Sequence, residues 1–431
     1  MLAQLMQCRD HMENTDHQAI EGSTKHDKFT RRGFLGIGSA ALAVAGMAPT
    51  LSAAGQEVID RSKSDPGPSN HTLDAQNPDS VLPPNTDYGG VPTFKYPFSL
   101  ANKRLFPGGW SREVTVRELP MSKSIAGVNM RLTAGGVREL HWHTAGEWAI
   151  MLYGTVRITA VDAQGKSFVA DVKKNDLWYF PAGIPHSIQG LGPDGGEFML
   201  VFDDGNFSEF ATVLLSDTMA HTPREVLSKN FGVAEAALAN LPPKELFIFQ
   251  TEVPGALEED QKAAAGALGA SSQDFAFRTM ELQPTKRTKG GEVRIVDSSK
   301  FKASITMAMA MVTVHPGGIR EVHWHPNADE WQYYISGKGR MTIMATGGHG
   351  RTMDFEEGDV GYVPQTLPHY VENTGDTDLV FLEMFKSSFY QDLSLSEWLA
   401  HTPPELVMAH LRIDKATLDA IPKDELVVMP S

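Results

Sequence analysis

Cysteine is nearly absent. The 431-residue chain has one, Cys8, so no disulfide can form within it and the fold must hold without covalent staples. Long apolar runs are missing too. The best candidate, the Ala-rich stretch from Ile37 to Ala48, is short and gives way around Gly46, Pro49 and Ser52, which argues against a retained membrane helix. Positive charge is in deficit: 38 Lys and Arg face 53 Asp and Glu, a formal net charge of −15. That balance excludes nucleic acid and anionic membranes as partners. It also means that a small anionic substrate would need local positive charge to enter.

The first 54 residues read as a removable leader. Thr30-Arg31-Arg32-Gly33-Phe34-Leu35 matches the twin-arginine export pattern, and Ser52, Ala53 and Ala54 offer small residues at which a peptidase can cut. Cleavage near Ala54 would release a periplasmic or secreted protein without Cys8. The leader carries five basic and five acidic residues, so the mature charge stays at −15 (33 − 48). Residues 55–90, rich in Pro, Asn, Asp and Ser, read as an extended arm.

What the chain does have is one ligand set written twice. His141, His143 and Glu147 in RELHWHTAGEW are completed by His186 in PAGIPHSIQG; His323, His325 and Glu330 in REVHWHPNADEW are completed by His369 in PQTLPHYVEN. Three imidazoles and a carboxylate suit a divalent transition metal, and four protein ligands on an octahedral ion leave two positions for small molecules. On a strand, His residues two apart share a face. The Glu follows at a different spacing in the two copies, so a turn must separate it from the His pair. AHTP recurs at Ala220 and Ala400, each time entering a helical pattern; the unit is a barrel plus a helical tail, duplicated.

An arginine stands three residues before the first His of each copy, Arg138 and Arg320. An offset of three puts Arg and His on opposite strand faces, so a bulge or the strand's start must bring the guanidinium inward, where it could hold a carboxylate beside the metal. Trp142 and Trp324, between the His ligands, are expected to pack in the core.

The spacing Gly135, His141, His143, Glu147, Gly154 and its copy Gly317, His323, His325, Glu330, Gly337 resembles the first cupin motif. Pro181–His186 and Gly358–Asn373 resemble the second, with Asn175 and Thr366 standing where that family usually has Gly. Together with Arg138, Arg320, the run Asp203-Asp204-Gly205-Asn206-Phe207-Ser208-Glu209 and the LEMFKS run, the chain resembles the bicupin oxalate decarboxylases from about residue 65 to its end.

The resemblance implies an all-β chain of two tandem jelly-roll cupin barrels, each followed by a short helical segment. The divisions are leader 1–54, arm 55–90, first cupin domain 91–245 and second cupin domain 246–431, with the arm from Val81 onward lying across the other barrel. It also implies two Mn ions, dioxygen as co-substrate, assembly as homotrimers or hexamers, and conversion of oxalate to formate and carbon dioxide. Glu209 takes the place of the family's lid acid, followed here by Phe210 and Ala211 in place of polar residues, with Thr212 retained. Aligning the AHTP runs sets Phe389 opposite Glu209, and Glu383 opposite Asp203, where its carboxylate would orient Arg320 or act as an acid. The first barrel is therefore the expected main catalytic one. An oxalate oxidase producing hydrogen peroxide would share the metal shell, and a storage bicupin would be expected to lack ligands or arginines.

Overall fold

The computed structural model describes residues 70–76, 90–207 and 211–431, which fall within one compact unit, Pro68–Ser431. The twin-arginine leader and Glu209 lie outside the described residues. The part of the arm that is described includes a short helix, His71–Gln76, whose first turn is capped by Asn70 through Leu73 N. Helix rather than extended chain thus forms there, because an Asn side chain can satisfy a backbone N–H of the first turn.

Two barrels of antiparallel strands follow, related strand for strand. In the first, Gly136–His143, His186–Gly190, Glu147–Val161, Gly196–Phe202, Ala126–Leu132 and Gly109–Val114 are neighbours in that order. In the second, the counterpart of the long strand is split into Glu330–Ser336 and Lys338–Ala345, which belong to different sheets. The corner is glycine in both cases. Gly154 has φ 70° and Gly337 φ 87°, and a Cβ there would lie 2.0 Å from Gly195 O or 2.6 Å from Asp378 O. Only a residue without a side chain can turn the strand so close to its neighbour. Asn175 and Thr366 keep the left-handed turns of the glycines they replace, with φ 70° and 69°.

The halves exchange short strands. Lys95–Pro97 pairs with Asp359–Val363 of the second barrel, and Ala276–Arg278 pairs with Asp176–Phe180 of the first. Each exchange carries a buried or half-buried ion pair, Lys95 with Asp359 at 2.7 Å and Arg278 with Asp176. Of the stretch expected to cross the other barrel, residues 81–89 lie outside the described residues. It is the segment just after it, assigned above to the first cupin domain, that lies on the second barrel, with Arg351 Nη1 donating to Val91 O at 3.0 Å and Phe94 stacked on Phe355. Residue 245 is therefore not where the first barrel ends. Ile248–Gln250 still pairs with Gly136–His143, because a closed barrel needs a strand along that edge, and Val428–Met429 does the same for Ile319–Trp324.

The expected helical tails form as Leu215–His221 and Arg224–Phe231 after the first barrel, and as Leu395–Ala400, Pro404–Leu411 and Lys415–Ala420 after the second. Among the described residues no helix is long and apolar enough to cross a membrane.

Candidate active site

Strand alternation aims His141 and His143 into the first barrel and turns Trp142 outward. Trp142 and Trp324 are thus half-buried rather than core, and Trp324 meets Trp398 edge-on at 5.8 Å. The strand stops at His143 and restarts at Glu147, so the inferred turn exists. In the second barrel the strand stops at Trp324 and the next begins at Glu330. Pairing with the strand carrying the fourth ligand is shifted between Arg138 and His141, and again between Arg320 and His323. That irregularity is what brings the arginine to the ligands' face.

Each set of four converges. One ligand atom from each of His141, His143, Glu147 and His186 lies within 4.8 Å of the others, and the same holds for His323, His325, Glu330 and His369. All six imidazoles engage an oxygen through Nδ1. Glu139 O serves His141, Ile184 O serves His186, Glu321 O serves His323, Gln391 O serves His325, and Leu367 O serves His369. His143 instead meets Thr212 Oγ1 at 3.1 Å, so the threonine retained near the lid supports a ligand. Fixing Nδ1–H in this way leaves each Nε2 lone pair facing the centre.

The Nε2 atoms of His323, His325 and His369 and Oε2 of Glu330 are buried and make no well-formed hydrogen bond, although Glu330 Oε2 lies 3.1 and 2.7 Å from two of them. Leaving four such atoms unsatisfied is costly. A divalent cation satisfies them all, so the residues fit a metal. Burial, reinforced by the Arg138 charge, pushes His141 well below its usual pKa, and burial takes His143 down to about 4, Glu147 opposing. Burial raises the Glu147 carboxyl, but His186 and His143 outweigh it and hold it well below the usual carboxylate range. Neutral His141 and His143 beside an ionised Glu147 are the protonation states a metal requires.

Around the carboxylates the halves diverge. Glu147 Oε1 accepts a hydrogen bond from Trp178 Nε1 at 2.9 Å. Glu330 Oε1 accepts from Gln332 Nε2 at 2.7 Å, and Gln332 Oε1 accepts from Tyr334 Oη at 2.8 Å. Sheet register puts Gly361 at the place of Trp178 and Ala149 at the place of Gln332. A Cβ on Gly361 would come 2.9 Å from Gln332 Oε1, so the two solutions exclude one another.

The arginines diverge more. Arg138 makes one side-chain hydrogen bond among the described residues, Nη1 to Phe247 O at 3.1 Å. Burial lowers its pKa to about 10, leaving it cationic at neutral pH. Arg320 is held on all sides: Nε donates to Glu383 Oε1 at 3.1 Å, and Nη2 to Tyr390 Oη and Asp392 Oδ2, both at 2.8 Å. Arg320, His323, His369 and Glu383 have no exposed surface.

Register corrects the alignment made through AHTP. Glu383 stands opposite Gln332 and Ala310, where the first barrel has Leu200 opposite Ala149 and Val128; its counterpart is Leu200, not Asp203. The helical tails align at one offset and the strands at another, because the intervening loops differ in length. Glu383 accepts from Arg320 Nε at 3.1 Å, the contact that an orienting role requires. Asp203 instead accepts from Gly146 N at 2.9 Å and from Thr306 Oγ1 at 2.5 Å, tying the loop before Glu147 to the other half.

A cavity of about 500 Å³ opens onto the first ligand set, lined by Arg138, His141, His143, Glu147, Phe207 and Thr212 among others. It extends to Arg104 and Arg117. Arg117 is 61% exposed and pairs with Glu113, whereas Arg138 at the inner end pairs with no carboxylate among the described residues. The chain enters the undescribed stretch 208–210 at Phe207, stacked on Phe202 at 3.6 Å and edge-on to His143 at 5.4 Å. It leaves at Ala211 and Thr212, so the described residues Phe207 and Thr212, on either side of that stretch, both lie beside His143. Glu139, Trp178, Phe247, Tyr390 and Asp392 were missed by sequence reasoning. The recurrence of Glu directly after Arg138 and Arg320 was the signal for the first of them; the others carry none in the sequence.

The family model described as Cupin matches residues 100–238 and 279–419. Oxalate decarboxylase OxdC of Bacillus subtilis (strain 168) is 53% identical over 83% of this chain and 92% of its own length. A probable oxalate decarboxylase of Arthroderma benhamiae is 38% identical over 84% of this chain and 90% of its own. The solved structure of the Bacillus subtilis enzyme at pH 4.6 superposes with a TM-score of 0.81 at 52% identity, covering 84% of this chain and 94% of that one. A second structure, from work on that enzyme's Mn(II) centres, gives the same score and identity over 85% and 96%. Two barrels, two convergent His3Glu sets and these likenesses have one meaning: the chain belongs to the bicupin oxalate decarboxylase family.

Proposed function

We propose that this protein is a manganese- and dioxygen-dependent oxalate decarboxylase whose working site is in the first barrel. The observation that carries the assignment is the contrast between Arg138, bonded to one carbonyl, and Arg320, saturated by Glu383, Asp392 and Tyr390. A guanidinium with free donors beside open space can take a carboxylate; one already locked cannot. His141, His143, Glu147 and His186 would hold the catalytic ion, and His323, His325, Glu330 and His369 a second ion of structural, electron-accepting or minor catalytic role. When bound, Mn(II), the metal of the Bacillus subtilis centres, supplies a Lewis acid for a substrate carboxylate and, with dioxygen, an electron sink.

The protein's own part is charge and proton handling. Arg138 offsets one of the two charges of the oxalate dianion, whose approach the net charge of −15 opposes. Phe202 and Phe207 keep the His143 side of the cavity apolar. Oxalate then loses carbon dioxide as its carbon–carbon bond breaks, and the remaining carbon must gain one proton to become formate, with no net electron transfer. Glu209 is assigned as the donor, because it takes the place of the family's lid acid and the described residues Phe207 and Thr212, on either side of it in that loop, lie beside His143. An acid in that role contributes on the order of a hundredfold to ten-thousandfold in rate.

The test is to supply oxalate to purified, metal-assayed protein and to its Glu209→Ala variant, measuring formate and hydrogen peroxide. Formate from the parent and a shift toward peroxide in the variant is the expected result. Peroxide without formate from the parent would make it an oxalate oxidase instead.

Export and assembly belong to the same proposal. The twin-arginine leader would carry the folded protein to the periplasm or beyond, allowing Mn to be loaded before exposure to the more tightly binding Zn and Cu. Assembly as a homotrimer or hexamer is supported by apolar side chains left exposed on the helical tails, among them Trp398, Leu406 and Phe231.

A further inference from the structure

The first barrel faces a physical problem that the second does not. Arg138 is buried and must keep one orientation, yet any carboxylate that fixed it would also neutralise it. Where the second barrel places Glu383 and Asp392, the first has Leu200 and Thr212. Something uncharged has to hold the guanidinium.

We propose that Phe247 is the positioning residue of Arg138, acting as a neutral shelf that orients the cation and leaves its remaining donors for the substrate. The inference rests on the reading of Arg138 as the oxalate-binding arginine. Three observations carry it. The Arg138 guanidinium carbon lies 4.0 Å from the Phe247 ring centroid, and that of Arg104 lies 4.2 Å from it. Phe247 O accepts the one hydrogen bond that Arg138 makes among the described residues. The Phe247 backbone is in the left-handed region at φ 57°, an unusual conformation for a bulky side chain that persists only where the surroundings impose it.

Those surroundings are visible. Buried Glu139 grips the Phe247 peptide from both sides: Phe247 N donates to Glu139 Oε1 at 2.8 Å, and Glu139 N donates to Phe247 O at 3.1 Å. Ser216 N donates to the other carboxylate oxygen at 3.2 Å, fixing Glu139 in turn. Phe106 packs against Phe247, with ring centroids 5.0 Å apart. The second barrel keeps the backbone device without the ring. Val427 has φ 64°, its N donates to Glu321 Oε1, and its carbonyl faces Arg320 Nη1 at 3.4 Å. Among the described residues, the arginine locked by carboxylates has no aromatic shelf, and the one without them has it. An aromatic face attracts a desolvated guanidinium without occupying its N–H donors.

The experiment uses the full-length, metal-loaded protein and three substitutions. Phe247→Gly preserves the left-handed backbone and the carbonyl while deleting the ring, Phe247→Val installs the residue of the second barrel, and Phe247→Tyr keeps an aromatic face. Oxalate binding is measured by calorimetry without dioxygen, and KM and kcat for formate production with it. Loss of a buried cation–π contact should weaken oxalate binding and raise KM about three- to thirtyfold in the Gly and Val variants, with kcat falling less and bound metal unchanged. The Tyr variant should stay within about twofold of the parent. Parental binding and KM in the Gly variant, or a Tyr variant as poor as the Gly variant, would overturn the proposal. If Gly at this position prevents folding, the Val and Tyr variants decide it, because Val427 shows that such a backbone accepts valine. A parent that makes no formate would count against the functional reading, whereas a parent that makes formate beside an unimpaired Gly variant would count against the shelf alone.

Discussion

Leu200 and Glu383 occupy the same place in their two sheets, and the difference between them decides what the neighbouring arginine can do. Glu383 Oε1 receives Arg320 Nε at 3.1 Å; Leu200, which lines the cavity beside the first His3Glu set, offers Arg138 no acceptor. Installing the acid in the first barrel should therefore abolish its freedom. In a Leu200→Glu variant, formate production should drop by roughly a hundredfold or more, since an electrostatic contribution of that size is lost. Metal content by elemental analysis should not change. Undiminished turnover would mean that Arg138 is not needed as a free cation.

The two carboxylate ligands are oriented differently, and this predicts unequal sensitivity to a single substitution. Trp178→Phe removes the donor to Glu147 Oε1 while keeping an aromatic ring of similar shape. Outer-shell donors of this kind are worth about ten- to a hundredfold in metal affinity. Competition with a chelator should strip one of the two ions from the variant more readily by that factor and leave the other, in the Gln332 setting, as firmly held as before. Equal loss from both centres would contradict an independent role for Trp178.

A pH signature belongs to Glu383. Burial pushes its carboxyl up to about 7, with Glu330 adding to the shift and Arg320 opposing it. The folded state thus holds this proton more tightly than the unfolded chain, whose carboxyl titrates near 4.5. The stabilisation is present below that value and is lost as pH rises through about 7. Glu383→Gln mimics the protonated form and cannot titrate. The melting temperature of the parent minus that of this variant should fall as pH is raised from about 4.5 to 7, with metal content held constant. A flat or rising difference would show that Glu383 stays ionised throughout.

The duplication, the eight ligands and the strand-level details of the motif were legible because each is a local constraint repeated in two places. His141 and His143 two apart require one strand face, and the arginine offset of three demanded the bulge found between Arg138 and His141. The exchanged strands Lys95–Pro97 and Ala276–Arg278 were only partly legible, since nothing in three residues says which distant edge they pair with. The asymmetry of the arginines was hidden for a related reason. It depends on Leu200, Thr212 and Phe247 meeting across the barrel, and sequence alignment through the helical tails placed Glu383 three residues from its true partner. Trp142 was misassigned to the core because the chain is apolar just after it, whereas alternation alone would have turned it outward.

The most direct measurement is formate produced per bound metal in Arg138→Ala and Arg138→Lys, compared with Glu383→Gln. Arg138 is not a ligand, so all three proteins should retain both ions. The Ala variant should lose at least about a hundredfold of its formate production. The Lys variant should recover only part of it, because an ammonium cannot reproduce the two-pronged geometry of a guanidinium, and Glu383→Gln should keep most of it. Substantial formate from Arg138→Ala, together with its loss in Glu383→Gln, would place the chemistry in the second barrel and contradict the assignment.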